Sequence, residues 1–175
     1  MKKLVLYIII ISAFVSCNHP KKATIQEINS AKKAANTLLE NWHLAATNAN
    51  YENYFSPMDS LSIYIGTDAS ENWSKSEFQG YSKPYFDKGK AWSFKTLDRN
   101  IYINTSADFI WFDELLDTWM GICRGSGVLE KTQDTWKIKH YVLSITVPND
   151  DINAVVLAKK ENDSIFLRHR KEILK

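Results

Sequence analysis

From Thr24 to about Asn48, apolar residues recur at three- and four-residue steps: Ile25, Ile28, Ala31, Ala35, Leu38, Leu39, Trp42 and Ala46. That spacing lines up one stripe along a helix and predicts an amphipathic element. Thr24, followed three residues later by Glu27, fits a capping box at its start. Tyr51 to Phe55 reads as a further helical turn ended near Pro57, and Leu61 to Gly66 alternates as a strand does. A second amphipathic helix is predicted from Trp73 to about Asp87, with Phe78, Tyr81, Tyr85 and Phe86 inward. Ser74 and Glu77 can form its capping box, and Gly89 is a natural stop.

Four strand-like runs follow: Trp92 to Ile103, Asp108 to Thr118, Cys123 to Lys131 and Trp136 to Val147. Turn residues separate them at Asn104-Thr105-Ser106, Met120-Gly121 and Gln133-Asp134. The last gap suits a hairpin that sets Glu130 opposite Lys137 and Leu129 opposite Ile138. Helices first and antiparallel strands afterwards predict an α+β layer arrangement. Pro148 ends the sheet, residues 151–160 read as a short helix, and Arg168, His169, Arg170 and Lys171 read as a solvated basic tail.

The first residues carry a different pattern. Lys2 and Lys3 precede an almost wholly apolar run from Leu4 to Val15, closed by Val15-Ser16-Cys17. A charged start, a short apolar run and small residues at its end describe a secretory signal peptide. The run is about a dozen residues, short of the roughly 20 that a spanning helix needs. Phe14-Val15-Ser16-Cys17 resembles a bacterial lipobox, although Phe14 stands where an aliphatic residue is usual. That resemblance implies cleavage before Cys17 and acylation (palmitate among the chains) of its thiol and new amino group. More than one acyl chain makes anchoring stable. The expected organisation is a signal peptide over 1–16, a tether over 17–23, a domain over 24–150, and a helix and tail over 151–175. The place is the cell envelope, lipid-anchored and facing the periplasm, with the bilayer as a partner.

Composition narrows the classes. The formal charge of +2 includes Lys2 and Lys3, so the mature chain is close to neutral. A nucleic-acid binder would carry a basic face, and none is evident. The 6 Trp, 8 Tyr and 8 Phe predict an aromatic core or cavity. With only 2 Cys, lipidation of Cys17 leaves Cys123 without an intramolecular partner, so the core alone must hold the domain.

The element order and several strings resemble the SnoaL-like branch of the nuclear transport factor 2-like superfamily. The strings are Trp42-His43 with Ala45-Ala46, Tyr64-Ile65-Gly66-Thr67-Asp68-Ala69 and Lys83-Pro84-Tyr85-Phe86. Trp111-Phe112-Asp113-Glu114, Cys123-Arg124-Gly125-Ser126-Gly127 and Trp136-Lys137-Ile138 extend the match from about Thr37 to Asp150. The resemblance implies a cone: N-terminal helices on the concave side of a strongly bent antiparallel sheet, with a pocket between. The superfamily includes isomerases, dehydratases, cyclases and domains without known catalysis, so the fold alone does not choose an activity.

Candidate chemistry comes from individual residues. In 108–118, Phe109, Trp111, Asp113, Leu115 and Asp117 share one face, and Ile110, Phe112, Glu114 and Leu116 the other. One face should line the cone and the other meet a second subunit, which predicts a homodimer. Asp113 or Glu114 then sits in apolar surroundings, as a general acid or base or as a carboxylate paired with Arg124 or a hydroxyl. Arg124 can instead hold a ligand carboxylate or pair with Asp117. In SnoaL-like domains a histidine at the position of His140 often points into the pocket, and His43 is a second candidate; either can equally be a satisfied core histidine. Gly125 and Gly127 read as marks of a bulge or bend.

Neither a metal-ligand spacing nor a Ser/His/Asp triad is recognisable, and no cofactor is expected. Two functions stay open. One is a non-catalytic binding module whose cone (Trp42, Tyr54, Tyr64, Trp73, Trp111, Tyr141) takes a small apolar or aromatic molecule. The other is an isomerase, dehydratase or cyclase that moves a proton with a pocket carboxylate and His140.

Overall fold

The computed structural model describes residues 22–173, so the leader, Cys17 and most of the tether lie outside the described residues. The chain builds α1 (Ile25–Thr47), α2 (Tyr51–Phe55), β1 (Met58–Ile65), β2 (Asn72–Ser74) and α3 (Lys75–Asp87). The strands β3 (Lys95–Ile103), β4 (Phe109–Thr118), β5 (Gly121–Thr132) and β6 (Thr135–Ile145) follow, then a 3-10 turn and α4 (Ile152–Ile173). Both expected capping boxes form: Glu27 N–H donates to Thr24 Oγ1 and Thr24 N–H to Glu27 Oε2, and Ser74 and Glu77 repeat the exchange. Each cap contributes about 1 kcal/mol by satisfying helix-end donors. Gly89, at φ 69°, ends α3 in a conformation that costs glycine little.

The six strands form one sheet in the order β2-β1-β6-β5-β4-β3. Strands β3 to β6 pair antiparallel through short turns, and the Glu130–Lys137 and Leu129–Ile138 pairs stand as expected. The sheet is mixed rather than antiparallel, because β1 runs parallel to β6. Parallel neighbours need a long crossover, which β2, α3 and the three intervening strands supply here.

Two single-residue bulges bend the sheet and reset which side chains face inward. In β3, Thr96 pairs with Leu116 but Asp98 with Leu115, leaving Leu97 extra. In β6, Ile138 pairs with Leu129 but His140 with Val128, leaving Lys139 extra. An extra residue moves everything after it to the opposite face. Arg99 and Tyr141 therefore turn into the cone.

The helices α1, α2 and α3 close the concave side over a core rich in Trp42, Tyr54, Tyr64, Phe78, Phe86, Phe112 and Tyr141. Tyr81 and Tyr85, expected inward on α3, stand largely exposed, one turn from the buried Phe78 and Phe86. Gly125 and Gly127 pair with Glu114 and Phe112 without a register break, and on the other side of β5 the break falls just past Gly127, between Val128 and Leu129. The two glycines keep space free: a Cβ at Gly125 would strike the Tyr141 hydroxyl and Glu114, and one at Gly127 the Phe112 ring. Cys123 is buried with a free thiol.

The C-terminal helix is longer than the 151–160 expected, while the basic end is solvated as expected. One helix, α4, runs through the basic residues to Ile173, and none of its residues is buried. Its own side chains brace it, with Lys159 meeting Asp163 at 3.5 Å and the Arg170 guanidinium lying over Phe166. Among the described residues no helix is long and apolar enough to cross a membrane.

Candidate functional site

The cone interior is organised around one carboxylate. Glu114, on the inner face of β4, is 1% exposed. Its Oε1 accepts from His43 Nε2 and from the Tyr141 hydroxyl, each at 2.9 Å. Its Oε2 accepts from Arg99 Nε at 2.8 Å and Nη2 at 2.7 Å. The Arg99 side chain, 3% exposed, reaches on toward α1, where Nη1 donates to Glu40 at 2.6 Å and to Asn36 Oδ1 at 2.9 Å. One buried network thus joins α1, β3, β4 and β6.

The electrostatics follow from these contacts. Burial pushes the Glu114 carboxyl upward, but the His43 hydrogen bond and charge and the Arg99 guanidinium outweigh it and hold it below the ordinary range. Tyr141 moves the other way: burial first, then the Glu114 charge, raises its hydroxyl well above the usual value. It stays a protonated donor. Because the carboxylate only accepts, His43 Nε2 carries the proton in that contact. A carboxylate offers about four acceptor sites, and Glu114 has four donors. No acceptor site is left for a substrate proton.

The open space lies elsewhere, at the mouth of the cone. A cavity of about 140 Å³ opens there among Tyr64, Trp73, Phe78, Tyr81, Trp92 and Trp119, floored by Phe94, Met120 and Leu143. Glu71 is the single charged side chain of its lining. The rings lie almost parallel, with Tyr64 and Phe78 centroids 3.9 Å apart and Trp73 and Tyr81 centroids 4.5 Å apart. A larger hollow of about 390 Å³ flanks α1, where Asn41, Asn48, Asn50 and Asn53 share the lining with Leu38, Trp42, Leu44 and Ala45, so it is the more polar of the two. Small-molecule sites are mostly apolar with a few orienting polar groups, which favours the mouth.

The structure sorts the residues singled out from sequence. Trp42, His43, Tyr54, Tyr64 and Tyr141 gather inside as packed core, Tyr64 at the edge of the mouth cavity and Trp42 at the edge of the hollow beside α1. Trp73 lines the mouth, as expected. Trp111 does not line the cone: it lies on the convex face, 45% exposed, stacked on Tyr102 at 5.9 Å. Asp113 is on that face too, accepting from Asn100 at 3.3 Å. Arg124 sits opposite Leu115, again outward, 4.0 Å from Asp113 and not paired with Asp117. His140 pairs with Val128 beside Trp111 on the same outer face, because the bulge at Lys139 hands the inward place to Tyr141. His43, not His140, is the histidine that meets the carboxylate.

Sequence reasoning passed over Arg99, Glu71, Trp92 and Trp119. Arg99 was hidden by the β3 bulge, and the rest come from loops and turns whose direction no periodicity reports. The one available signal was Trp119 itself, a large ring placed in a turn beside Met120-Gly121. Among the described residues no group of three His, Cys, Asp or Glu side chains could hold a metal.

Solved structures define the class. An NTF2-like protein of unknown function from Pseudomonas putida superposes with a TM-score of 0.59 at 12% identity, over 70% of this chain and 91% of that one. A domain of unknown function with a cystatin-like fold from Nostoc punctiforme gives 0.57 at 12% identity, over 82% and 98%. A candidate dehydratase of the NTF2-like family from Streptomyces avermitilis gives 0.59 at 11% identity, over 69% and 99%. At such identities the likeness is one of fold: an α+β cone. Residues 35–148 match the SnoaL-like domain profile, and the chain belongs to that family. A search among curated proteins finds no match.

Proposed function

We propose that this chain is a lipid-anchored, non-catalytic binding domain, acylated at Cys17 on the periplasmic side of the envelope, whose cone mouth holds a small molecule with a largely apolar or aromatic body. The observation that carries the reading is the division of labour inside the cone. Among the described residues the buried carboxylate that meets a histidine is saturated and ion-paired, while the aromatic space stands at the mouth. The candidate dehydratase among the neighbours raises the alternative of proton transfer. General acid–base catalysis needs a group within reach of the substrate proton, and Glu114 lines none of the cavities described.

Native mass spectrometry of the chain purified from a bacterial host tests this. A bound small molecule is expected, lost in Trp73→Ala and kept in Trp111→Ala, since Trp111 faces outward. Loss on Trp111→Ala with retention on Trp73→Ala would move the site to the convex face and sink the proposal.

The convex face supports self-association. Tyr102, Phe109, Trp111 and Ile122 are exposed on it, and apolar patches of this kind mark interfaces. Light scattering coupled to size exclusion is expected to report a dimer at micromolar concentration and a monomer for Trp111→Glu. A wild-type monomer would remove the dimer from the reading.

A further inference from the structure

Glu71 gives the mouth a sign. The turn between β1 and β2 pins this residue: Gly66 N–H donates to the Glu71 carbonyl at 3.0 Å, and Glu71 N–H to the Asp68 carbonyl at 3.0 Å. The carboxylate curls back under the turn, where Oε2 accepts the Asp68 N–H at 3.1 Å. A Cβ at residue 66 would collide with it, so Gly66 makes room for the carboxylate in this place. Its charge reaches the ring hydroxyls on both sides: besides their burial, it contributes to raising Tyr64 and Tyr81. Among the described residues no lysine, arginine or histidine lines the cavity beside Glu71. A half-buried carboxylate with no counter-charge beside it, set against aromatic walls, leaves a negative charge that a cation can join.

The aromatic lining has the same preference. Ring faces attract cations through their quadrupole, most strongly those of tryptophan. Trp73, Trp92 and Trp119 all border the cavity. Trp119 is 83% exposed on the turn between β4 and β5 and borders the cavity. Its face is free to cover a ligand.

Three ligand classes can then be weighed. An anion would be repelled by Glu71. A neutral apolar molecule would strip water from the carboxylate and offer nothing in return. A cation satisfies both the carboxylate and the ring faces. The volume of about 140 Å³ is close to that of a cavity known to hold one benzene, about 150 Å³, so it suits a compact head group.

We infer that the molecule held at the cone mouth is an organic monocation, a quaternary or protonated amine, with Glu71 as its counter-charge and Trp73, Tyr81 and Trp119 over its faces. This rests on the binding reading above and narrows it. The apolar body anticipated from sequence becomes the remainder of a ligand whose head is charged.

The probes are choline and its uncharged carbon isostere, 3,3-dimethylbutan-1-ol, titrated into the full-length chain by calorimetry and tryptophan fluorescence. Choline is expected to bind saturably, about tenfold or more tighter than the alcohol. Glu71→Gln should remove that preference while keeping the accepting oxygen of the turn. Trp119→Ala, a change at an exposed position that leaves the core untouched, should weaken choline severalfold. Equal binding of both probes to the wild-type chain would leave the pocket standing and overturn the cation. A preference that survives both variants would overturn the roles of Glu71 and Trp119. Saturation by neither probe at millimolar concentration would remove the mouth as a small-molecule site altogether.

Discussion

Glu114→Ala should lower the thermal midpoint of the domain by about 10–20 °C. Removing the carboxylate leaves Arg99 Nε without its acceptor and the guanidinium, whose side chain is 3% exposed, with Glu40 as its remaining carboxylate. Breaking a buried ion pair from one side costs about 3–5 kcal/mol, and here the retained but half-exposed Glu40 contact holds the loss to the lower part of that range. In a domain of this size each kcal/mol moves the midpoint by about 3–5 °C. Tyr141 and His43 lose their acceptor at the same time. Glu114→Gln keeps the shape and two acceptor lone pairs but not the charge, so it should fall between the two.

The effect depends on pH. The folded carboxyl of Glu114 lies below its ordinary value of 4.5, so its stabilisation is complete above that value and fades as the pH falls through the lower folded one. The gap in midpoint between the wild-type chain and Glu114→Gln should therefore be constant near neutrality and narrow below about pH 4.5. Calorimetric melts across that range measure it. A gap that widens in acid would mean that the carboxylate is not held ionised by its neighbours.

The second large effect concerns Trp42. Its ring stacks on Tyr54 with centroids 5.0 Å apart and meets Tyr141 edge-on at 4.9 Å. It lies at the point where α1, α2 and β6 converge, and its exposure is 1%. Trp42→Ala should cost about 3–5 kcal/mol, the range for emptying a large aromatic from a core. The buried indole N–H has no hydrogen-bond partner among the described residues. Trp42→Phe keeps a ring and removes that donor, so it should cost much less, about 1–2 kcal/mol. Urea titration of the three chains decides it. Equal losses for Ala and Phe would show that the indole N–H carries more than its geometry suggests.

The legible part of this fold is the part governed by local rules. The apolar stripe and the Thr24/Glu27 pair announce α1 within a residue of its ends. The alternation in β4 separates Glu114 from Asp113, and the short turn after Thr132 places Leu129 opposite Ile138. What stays hidden depends on one residue more or less. Trp136-x-Ile138-x-His140 alternates without a flaw, and on that pattern His140 belongs inside. The bulge at Lys139 reverses it, and nothing in the residue types there requires a bulge. The same holds for Leu97 and Arg99, so the guanidinium partner of Glu114 was invisible while the carboxylate was not. The parallel pairing of β1 with β6 is set by tertiary closure of the cone, which no local pattern encodes. The interior aromatics were readable as aromatics, but whether they wall a cavity or fill it depends on packing.

A small contact at the start of the described chain bears on orientation. Ala23 N–H donates to the Thr105 carbonyl at 2.8 Å, which fastens the chain to the turn between β3 and β4. The Trp119 turn lies at the far end of β4, a strand of 10 residues, or up to about 30 Å away. With Cys17 acylated, at most about 20 Å of extended chain would separate the lipid from Ala23. The domain would stand end-on above the headgroups, its aromatic mouth directed toward the aqueous space. Under the proposed acylation, such a posture would suit capture of a solute arriving by diffusion and would disfavour extraction of a lipid from the supporting bilayer.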